Sequence, residues 1–335
     1  MDSSRERMQK ALDFGRPDRI PLVYHPSPAG LHVHGKKLLD LFNAYPPDNP
    51  IRFDAIPEPP AGTIDSTGAY RERRRDTWGV EFEYSTFGIQ GIPCRFPFDG
   101  WEQGMDYEFP PLPSSAEEIQ EQRKRYLIFE GGVAIFERLH ALQPFEQVLI
   151  DIHTRDPRFL RFLDRLTDYW CEYIDVLIES GADVIFFGDD WGTQTSSIIS
   201  PVLFREVFLP RYARLFSRVK NAGKLIFLHS CGDLSDVLGD FVAEGINGLW
   251  PQIGFFEQDH SLFEFCEHNR VTLYIHPDRQ HLVPLGSPDD IERTITGYAE
   301  KYHRLGGGGI FYVEIENDAP FENIERLILS IDRYR

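Results

Sequence analysis

His229 and Cys231 are the two residues of this chain whose types and spacing most directly suggest chemistry. They come directly after Leu225-Ile226-Phe227-Leu228, a short apolar run of the kind that forms a strand buried on both faces, and Gly232 turns the chain after them. Side chains two apart on an extended segment point the same way, so the imidazole and the thiol can aim at one point. An imidazole and a thiolate converging at a strand end are two legs of a zinc site. The alternative is a buried histidine and a free cysteine that only pack. Glu314 is a third candidate ligand. It comes after Phe311-Tyr312-Val313, and a carboxylate ending an apolar strand is costly unless it is paired or bound to a metal. His229, Cys231 and Glu314 would leave a fourth coordination position open, the pattern of catalytic zinc. Asp190 and His276 are the catalytic candidates beside them, as further ligands or as partners that hold the His229 tautomer. The competing reading of Glu314 is an ion pair in the same place, with Arg279 as its partner.

The elements that must position these groups alternate strand and helix. Strands are predicted at 20–24, 52–55, 126–129, 184–187, 225–228, 246–250, 271–275 and 310–313. Helical periodicity fills 201–222, 233–243, a stretch near 260–268, 288–303 and 320–334. Eight strands in this rhythm predict an α/β fold, a (β/α)8 TIM barrel in one domain over 1–335. Residues 62–112, with Trp78-Gly79-Val80-Glu81-Phe82-Glu83-Tyr84, read as a β-rich insertion in the N-terminal half, leaving the barrel at its catalytic end.

Active sites of such barrels sit at the C-terminal ends of the strands. The residues at those ends are His25 (with His32 and His34 nearby), Asp189-Asp190-Trp191, His229 and Cys231, Trp250 and Gln252, His276, Asp278 and Arg279 (with His281 beyond), and Glu314 and Glu316. Metal-capable groups therefore gather at one end. Tyr24, His25, Phe87, Trp191, Trp250 and Arg279 are the substrate-binding candidates; the aromatic ones either hold a ring by stacking or pack in the core. Neighbours on a strand face apart, so Asp189 and Asp190 are expected to be one capping and one inward residue. Gly306-Gly307-Gly308-Gly309 precedes a strand rather than opening a helix, which argues for a tight turn and against a phosphate cradle.

With 335 residues, 41% of them hydrophobic, the chain can bury a large core. A net charge of -18 disfavours a nucleic-acid partner, whose phosphate backbone needs a basic surface. The polar, charged start of the chain is expected to carry no signal peptide, and no apolar run is long enough to span a membrane. Cys94, Cys171, Cys231 and Cys266 are widely scattered, which fits cytoplasmic thiols rather than a disulfide framework.

Several segments together resemble the uroporphyrinogen decarboxylase superfamily: Arg16-Pro17-Asp18-Arg19-Ile20-Pro21-Leu22, Gly188-Asp189-Asp190-Trp191-Gly192-Thr193-Gln194, Ile199-Ser200-Pro201, His229-Ser230-Cys231-Gly232 and Pro320-Phe321-Glu322-Asn323-Ile324. The true decarboxylases carry an arginine-rich segment after the first strand. Here that place reads His25-Pro26-Ser27-Pro28-Ala29-Gly30, without an arginine to clamp substrate carboxylates. The other branch comprises zinc-dependent, corrinoid-linked methyltransferases, whose methanogen members bind zinc with a His-x-Cys and a later cysteine. His229 and Cys231 match the first two, and Glu314 stands nearest the third. That harder set resembles the one proposed for O-demethylases of methoxylated aromatics. The resemblance implies Zn2+, a corrinoid (cobalamin) carried by a partner protein, and transfer of a methyl group from a small methoxylated, aromatic substrate to cob(I)alamin. No nucleic acid or membrane partner is expected, and homodimerisation is left open. Three alternatives stand: a methylcobalamin:thiol methyltransferase, a uroporphyrinogen-type decarboxylase, and a non-catalytic barrel that binds a tetrapyrrole or a corrinoid protein.

Overall fold

A computed structural model describes residues 1–25, 27–112, 116–256, 261–304 and 306–335. Pro26 and the start of the helix expected near 260 lie outside the described residues. Seven parallel strands curl into a TIM-barrel-like wall with helices around it. They are β1 (Leu22–His25), β5 (Phe129–Val133), β6 (Val184–Gly188), β7 (Leu225–Ser230), β8 (Gly248–Pro251), β9 (Thr272–Ile275) and β10 (Gly309–Glu314). Their order is β1-β10-β9-β8-β7-β6-β5. The segment 62–112 holds a separate antiparallel sheet of β2 (Glu72–Arg75), β3 (Glu81–Tyr84) and β4 (Ile92–Arg95).

Alternation along the strands sorts the side chains. Val23, Val184, Phe227, Tyr274, Ile310 and Tyr312 point inward and pack with Met8, Ala11 and Leu12. Those three come from the helix Ser4–Leu12, which opens with a Ser3–Glu6 capping box. This helix closes the N-terminal end of the barrel. Arg5 pairs with Asp183 just before β6 at 2.7 Å, and the carbonyl of Ala11 accepts from the Thr272 hydroxyl at 3.1 Å. Residues of opposite parity, among them Leu22, Tyr24, Ile185, Phe187, Ile226, Leu228, Phe311 and Val313, join the core under the outer helices.

The strand expected at 52–55 does not form. Pro46, Pro47 and Pro50 lack the N–H groups a ladder needs, so the chain beside β1 stays irregular. Side chains replace the ladder. The Leu22 amide donates to the Asp48 carboxylate at 3.0 Å, and the Asp48 amide donates to the Leu22 carbonyl at 2.7 Å. Tyr24 exchanges both its backbone groups with the Asn49 amide, at 3.2 and 2.9 Å. The expected 201–222 helix is also interrupted. Phe204–Phe208 is a π-turn ahead of Pro210, a common response to the missing proline N–H.

Asp48 is fully buried and pairs with Arg7, with the Arg19 and Arg335 guanidinium groups 3.9 Å away. Asp48→Ala is expected to destabilise the fold by about 3–5 kcal/mol, because it strands buried cations and the Leu22 amide of β1. Urea unfolding checks this, and a change within about 0.5 kcal/mol would refute the role given to Asp48.

Candidate active site and metal centre

The inward parity of β7 carries Phe227, then His229 at the mouth. The register sets Gly188 of β6, His229 of β7 and Trp250 of β8 side by side. The His229 ring lies over the Trp250 indole with centroids 4.0 Å apart. Its Nδ1 is 2.9 Å from the Trp250 carbonyl oxygen. A carbonyl only accepts, so Nδ1 carries a hydrogen, and in the neutral ring that burial favours Nε2 keeps the lone pair. That lone pair faces Cys231 Sγ at 3.4 Å and Asp190 Oδ1 at 3.4 Å. The ligand atoms of Asp190, His229 and Cys231 all lie within 4.8 Å of one another. Burial depresses the basicity of His229 and pushes the Cys231 thiol up to about 12. A nitrogen lone pair and a carboxylate oxygen facing each other repel unless a cation lies between them, and the N/S/O donor set suits zinc.

Backbone contact between two loops builds this convergence. A Cβ on Gly192 would come within 2.4 Å of Gly232 and Asp233 backbone, and one on Gly232 within 2.2 Å of Gly192 backbone. Only glycine fits at either place. The Gly192 amide donates to the Cys231 carbonyl at 3.1 Å, and the Trp191 amide to the Ser230 hydroxyl at 2.9 Å. The Cys231 amide donates to Asp190 Oδ1 at 2.7 Å, which turns that carboxylate into the mouth. Asp189 faces the other way. Its carboxylate accepts from the Ile135 amide at 2.6 Å, the Glu137 amide at 2.8 Å and the Tyr212 hydroxyl. Burial pushes Asp189 up to about 7 against the pull of these three donors. The acid pair thus divides into one capping and one inward residue.

Glu314 lies at the mouth but outside the close cluster. Its carboxylate is 3.3 Å from Arg279 and 3.9 Å from His25 Nε2. Arg279 also reaches Glu316 at 3.8 Å. Burial raises the Glu314 carboxyl, and Arg279 opposes that shift. The ligand atoms brought together are therefore those of Asp190, His229 and Cys231, while Glu314 takes the ion pair with Arg279. His276 is 7% exposed, and its Nδ1 accepts from the Trp250 indole N–H at 3.1 Å. Burial, with Arg279 second, lowers His276 to about 3, so the ring is neutral. A cleft enclosing about 500 Å³ of open space adjoins these groups, lined by His276, Arg279, Gln194, Gln252, Asp278 and His281 among others. Gln194 and His281 belong to loops after β6 and β9, so strand-end position was the available signal for them.

The structure corrects two of the expected ring-holding residues. Tyr24 is 1% exposed and packs on Phe42 and Phe53 in the outer core, because its parity is opposite to that of Val23 and His25. Trp191 is 1% exposed, stacked on Phe136 at 4.7 Å, with its indole N–H donating to the Tyr212 hydroxyl. It braces the wall behind the mouth. Phe87, in the 62–112 excursion, packs edge-on against His32 and Tyr70. His25 is exposed at the mouth, and Trp250 is half-buried there. His32 and His34 do not join the cluster: His32 lies at 3.1 Å from the Pro57 carbonyl, and His34 is near Phe321.

The family model for uroporphyrinogen decarboxylase (URO-D) matches residues 140–334. This chain belongs to the uroporphyrinogen decarboxylase family. The matched span includes the mouth residues Asp190, His229, Cys231, Trp250, His276, Arg279 and Glu314, while His25 lies outside it. No curated protein is significantly similar to this family member. Among solved structures, a methyltransferase from Methanosarcina mazei is 19% identical over 100% of this chain and 99% of its own, with a TM-score of 0.63. That likeness shows the same fold over both whole chains. A B12-independent methionine synthase from Shewanella sp. W3-18-1 is 9% identical over 81% of this chain and 74% of its own, with a TM-score of 0.42. No helix among the described residues is long and apolar enough to cross a membrane.

The geometry leads to a metal-binding expectation. Zinc should bind one ion per chain, and His229→Ala or Cys231→Ala should abolish that binding. Asp190→Asn should weaken it about 10- to 100-fold, and Glu314→Gln should leave it within a few-fold. Competition against a chromogenic chelator measures each affinity. Undiminished zinc binding in both His229→Ala and Cys231→Ala would refute the site, and a larger loss in Glu314→Gln than in Asp190→Asn would return Glu314 to the ligand set.

Proposed function

We propose that this protein is a methyltransferase that uses zinc to move a methyl group from a methoxylated aromatic substrate to the cob(I)alamin of a separate corrinoid protein. The observation that carries the reading is the convergence of His229 Nε2, Cys231 Sγ and Asp190 Oδ1 beside an open cleft. Family membership and the whole-length fold likeness to a protein described as a methyltransferase support it.

His229, Cys231 and Asp190 would hold zinc, which would supply Lewis acidity to an ether oxygen. The chain's own residues do the rest. The Trp250 carbonyl orients His229, and the Cys231 amide orients Asp190. Trp250, half-buried at the mouth and 4.2 Å from the Tyr312 ring, provides an aromatic floor on which a substrate ring can lie. Arg279 faces the cleft and suits an anionic ring substituent, once it shares or releases Glu314 and Glu316. Glu314 is the reserve ligand, available to the ion only if it leaves Arg279. A porphyrinogen decarboxylase is less well supported, since the one guanidinium lining this cleft among the described residues is already tied to two carboxylates. A thiol-activating centre is less well supported too, because Cys231 is the one cysteine in the cluster.

With zinc and a reduced corrinoid protein, a methoxybenzoate should transfer its methyl group while methanol does so far more slowly, because phenolate leaves better than alkoxide. The cobalamin spectrum tracks the transfer. Equal turnover of methanol would overturn the aromatic assignment, and rapid demethylation of methylcobalamin by a thiol without ether activity would favour the thiol methyltransferase. Chelation of zinc should abolish turnover while circular dichroism stays unchanged, since a core of this size needs no metal staple. Unfolding on chelation would indicate a structural ion instead.

A further inference from the structure

Trp250 touches both mouth histidines through groups of opposite hydrogen-bonding character. Its backbone carbonyl, which can only accept, lies 2.9 Å from His229 Nδ1. Its indole N–H, which can only donate, lies 3.1 Å from His276 Nδ1. The two imidazole centroids stand 4.0 and 6.0 Å from the indole, on either side of the mouth layer.

We propose that Trp250 is a positioning residue that sets His229 and His276 in opposite tautomers, making His229 Nε2 a lone-pair ligand and His276 Nε2–H a fixed hydrogen-bond donor to an oxygen of the substrate in the cleft. The logic needs only donor and acceptor inventories. In the neutral ring, an N–H···O=C contact leaves the hydrogen of His229 on Nδ1 and exposes its Nε2 lone pair toward Asp190 and Cys231. An indole N–H pointing at His276 Nδ1 requires a lone pair there, which excludes the imidazolium and puts the only ring hydrogen on Nε2. His276 is nearly buried and lines the cleft, so a donor there acts where water is scarce. It gives up no proton: a neutral imidazole stabilises developing negative charge on the leaving oxygen by hydrogen bonding alone. The T-shaped packing of His276 against Tyr312 at 4.9 Å, and the tilted packing of Trp250 on the same ring at 4.2 Å, hold the geometry. Arg279 is the charged group that faces His276, with His25 and His229 beyond it, and a further positive charge on His276 is disfavoured among them.

The tautomer assignment stands on geometry alone; the donor role rests on the methyltransferase reading above. Two-bond 1H–15N correlation spectra of the full-length protein labelled with 15N-histidine, at pH 7, read both tautomers directly. His229→Gln and His276→Gln assign the signals. The expected result is a protonated Nδ1 on His229 and a protonated Nε2 on His276. Trp250→Phe, which keeps an aromatic ring and the backbone carbonyl, should leave the His229 pattern and zinc content unchanged. It should release His276 into a mixture of tautomers and lower kcat for aryl ether demethylation about tenfold. His276→Leu should cost about 10²-fold or more, and His276→Gln, which restores an N–H donor, should recover part of that loss. A native His276 that carries its hydrogen on Nδ1, or is doubly protonated, overturns the assignment. Full activity in His276→Leu overturns the donor role. Native protein with the expected tautomers but no methyl transfer overturns the reading of function while supporting the role of Trp250.

Discussion

The loops after β6 and β7 touch through bare backbone, Gly192 against Gly232, and the candidate site depends on that contact. A methyl group on either glycine would sit about 1 Å inside the ordinary limit for a carbon contact. Neither loop can simply retreat. Gly192 is tied to the Cys231 carbonyl, Trp191 to Ser230, and Asp233 to the Thr193 carbonyl. The same closeness lets the Cys231 amide reach Asp190 across the strand boundary. One contact therefore positions a thiol and a carboxylate that are 41 residues apart in the chain. His229 joins them from the extended part of β7, where register rather than loop geometry places it beside Trp250. Rigid strand and zipped loop supply different ligand atoms to one point, so the site does not rely on a mobile segment.

Much of this arrangement was legible in the sequence, for reasons of periodicity. Seven of the eight expected strands form, with their ends displaced by a few residues, because apolar runs bounded by Gly and Pro report burial on both faces. The failure at 52–55 has a local cause. Phe53 does bury, against Tyr24 and Phe42, but apolar burial is not strand pairing, and the segment that meets β1 is Asp48-Asn49, between Pro47 and Pro50. Side-chain pairing by Asp48 and Asn49 satisfies the exposed edge of β1, and that substitution of side chain for backbone leaves no periodic trace.

At the site, strand-end position identified the cast but not its pairing. Parity alone would have turned Tyr24 outward once His25 was assigned to the mouth. Trp191 lies past the end of β6, where parity no longer holds, and its direction is set by the indole bond to Tyr212 and the stack on Phe136. The competition between Asp190 and Glu314 was not decidable from sequence. Both end apolar strands of the same barrel, and which one approaches His229 depends on where Arg279 reaches. That arginine comes from the loop after β9, and no spacing rule places it between β10 and the mouth.

Where Arg279 reaches also decides what a bound cation could do. A divalent ion held by a neutral imidazole, a thiolate and one carboxylate is formally neutralised, and its fourth position remains attractive to an oxygen lone pair. A second carboxylate from Glu314 would make the assembly anionic and occupy that position, weakening the Lewis acidity that ether cleavage requires. The Arg279–Glu314 ion pair works against this outcome. It keeps the carboxylate 3.3 Å from a guanidinium, in a place where burial already disfavours free charge. In a chain with a net charge of -18, restraint of acidic groups near the mouth matters more than their supply. Under the proposed function, an anionic substrate drawn to Arg279 would loosen that restraint, so substrate charge and metal acidity would be coupled through one guanidinium. Such coupling would favour substrates whose anionic group lies far enough from the reacting oxygen for Arg279 to hold both it and Glu314 at once.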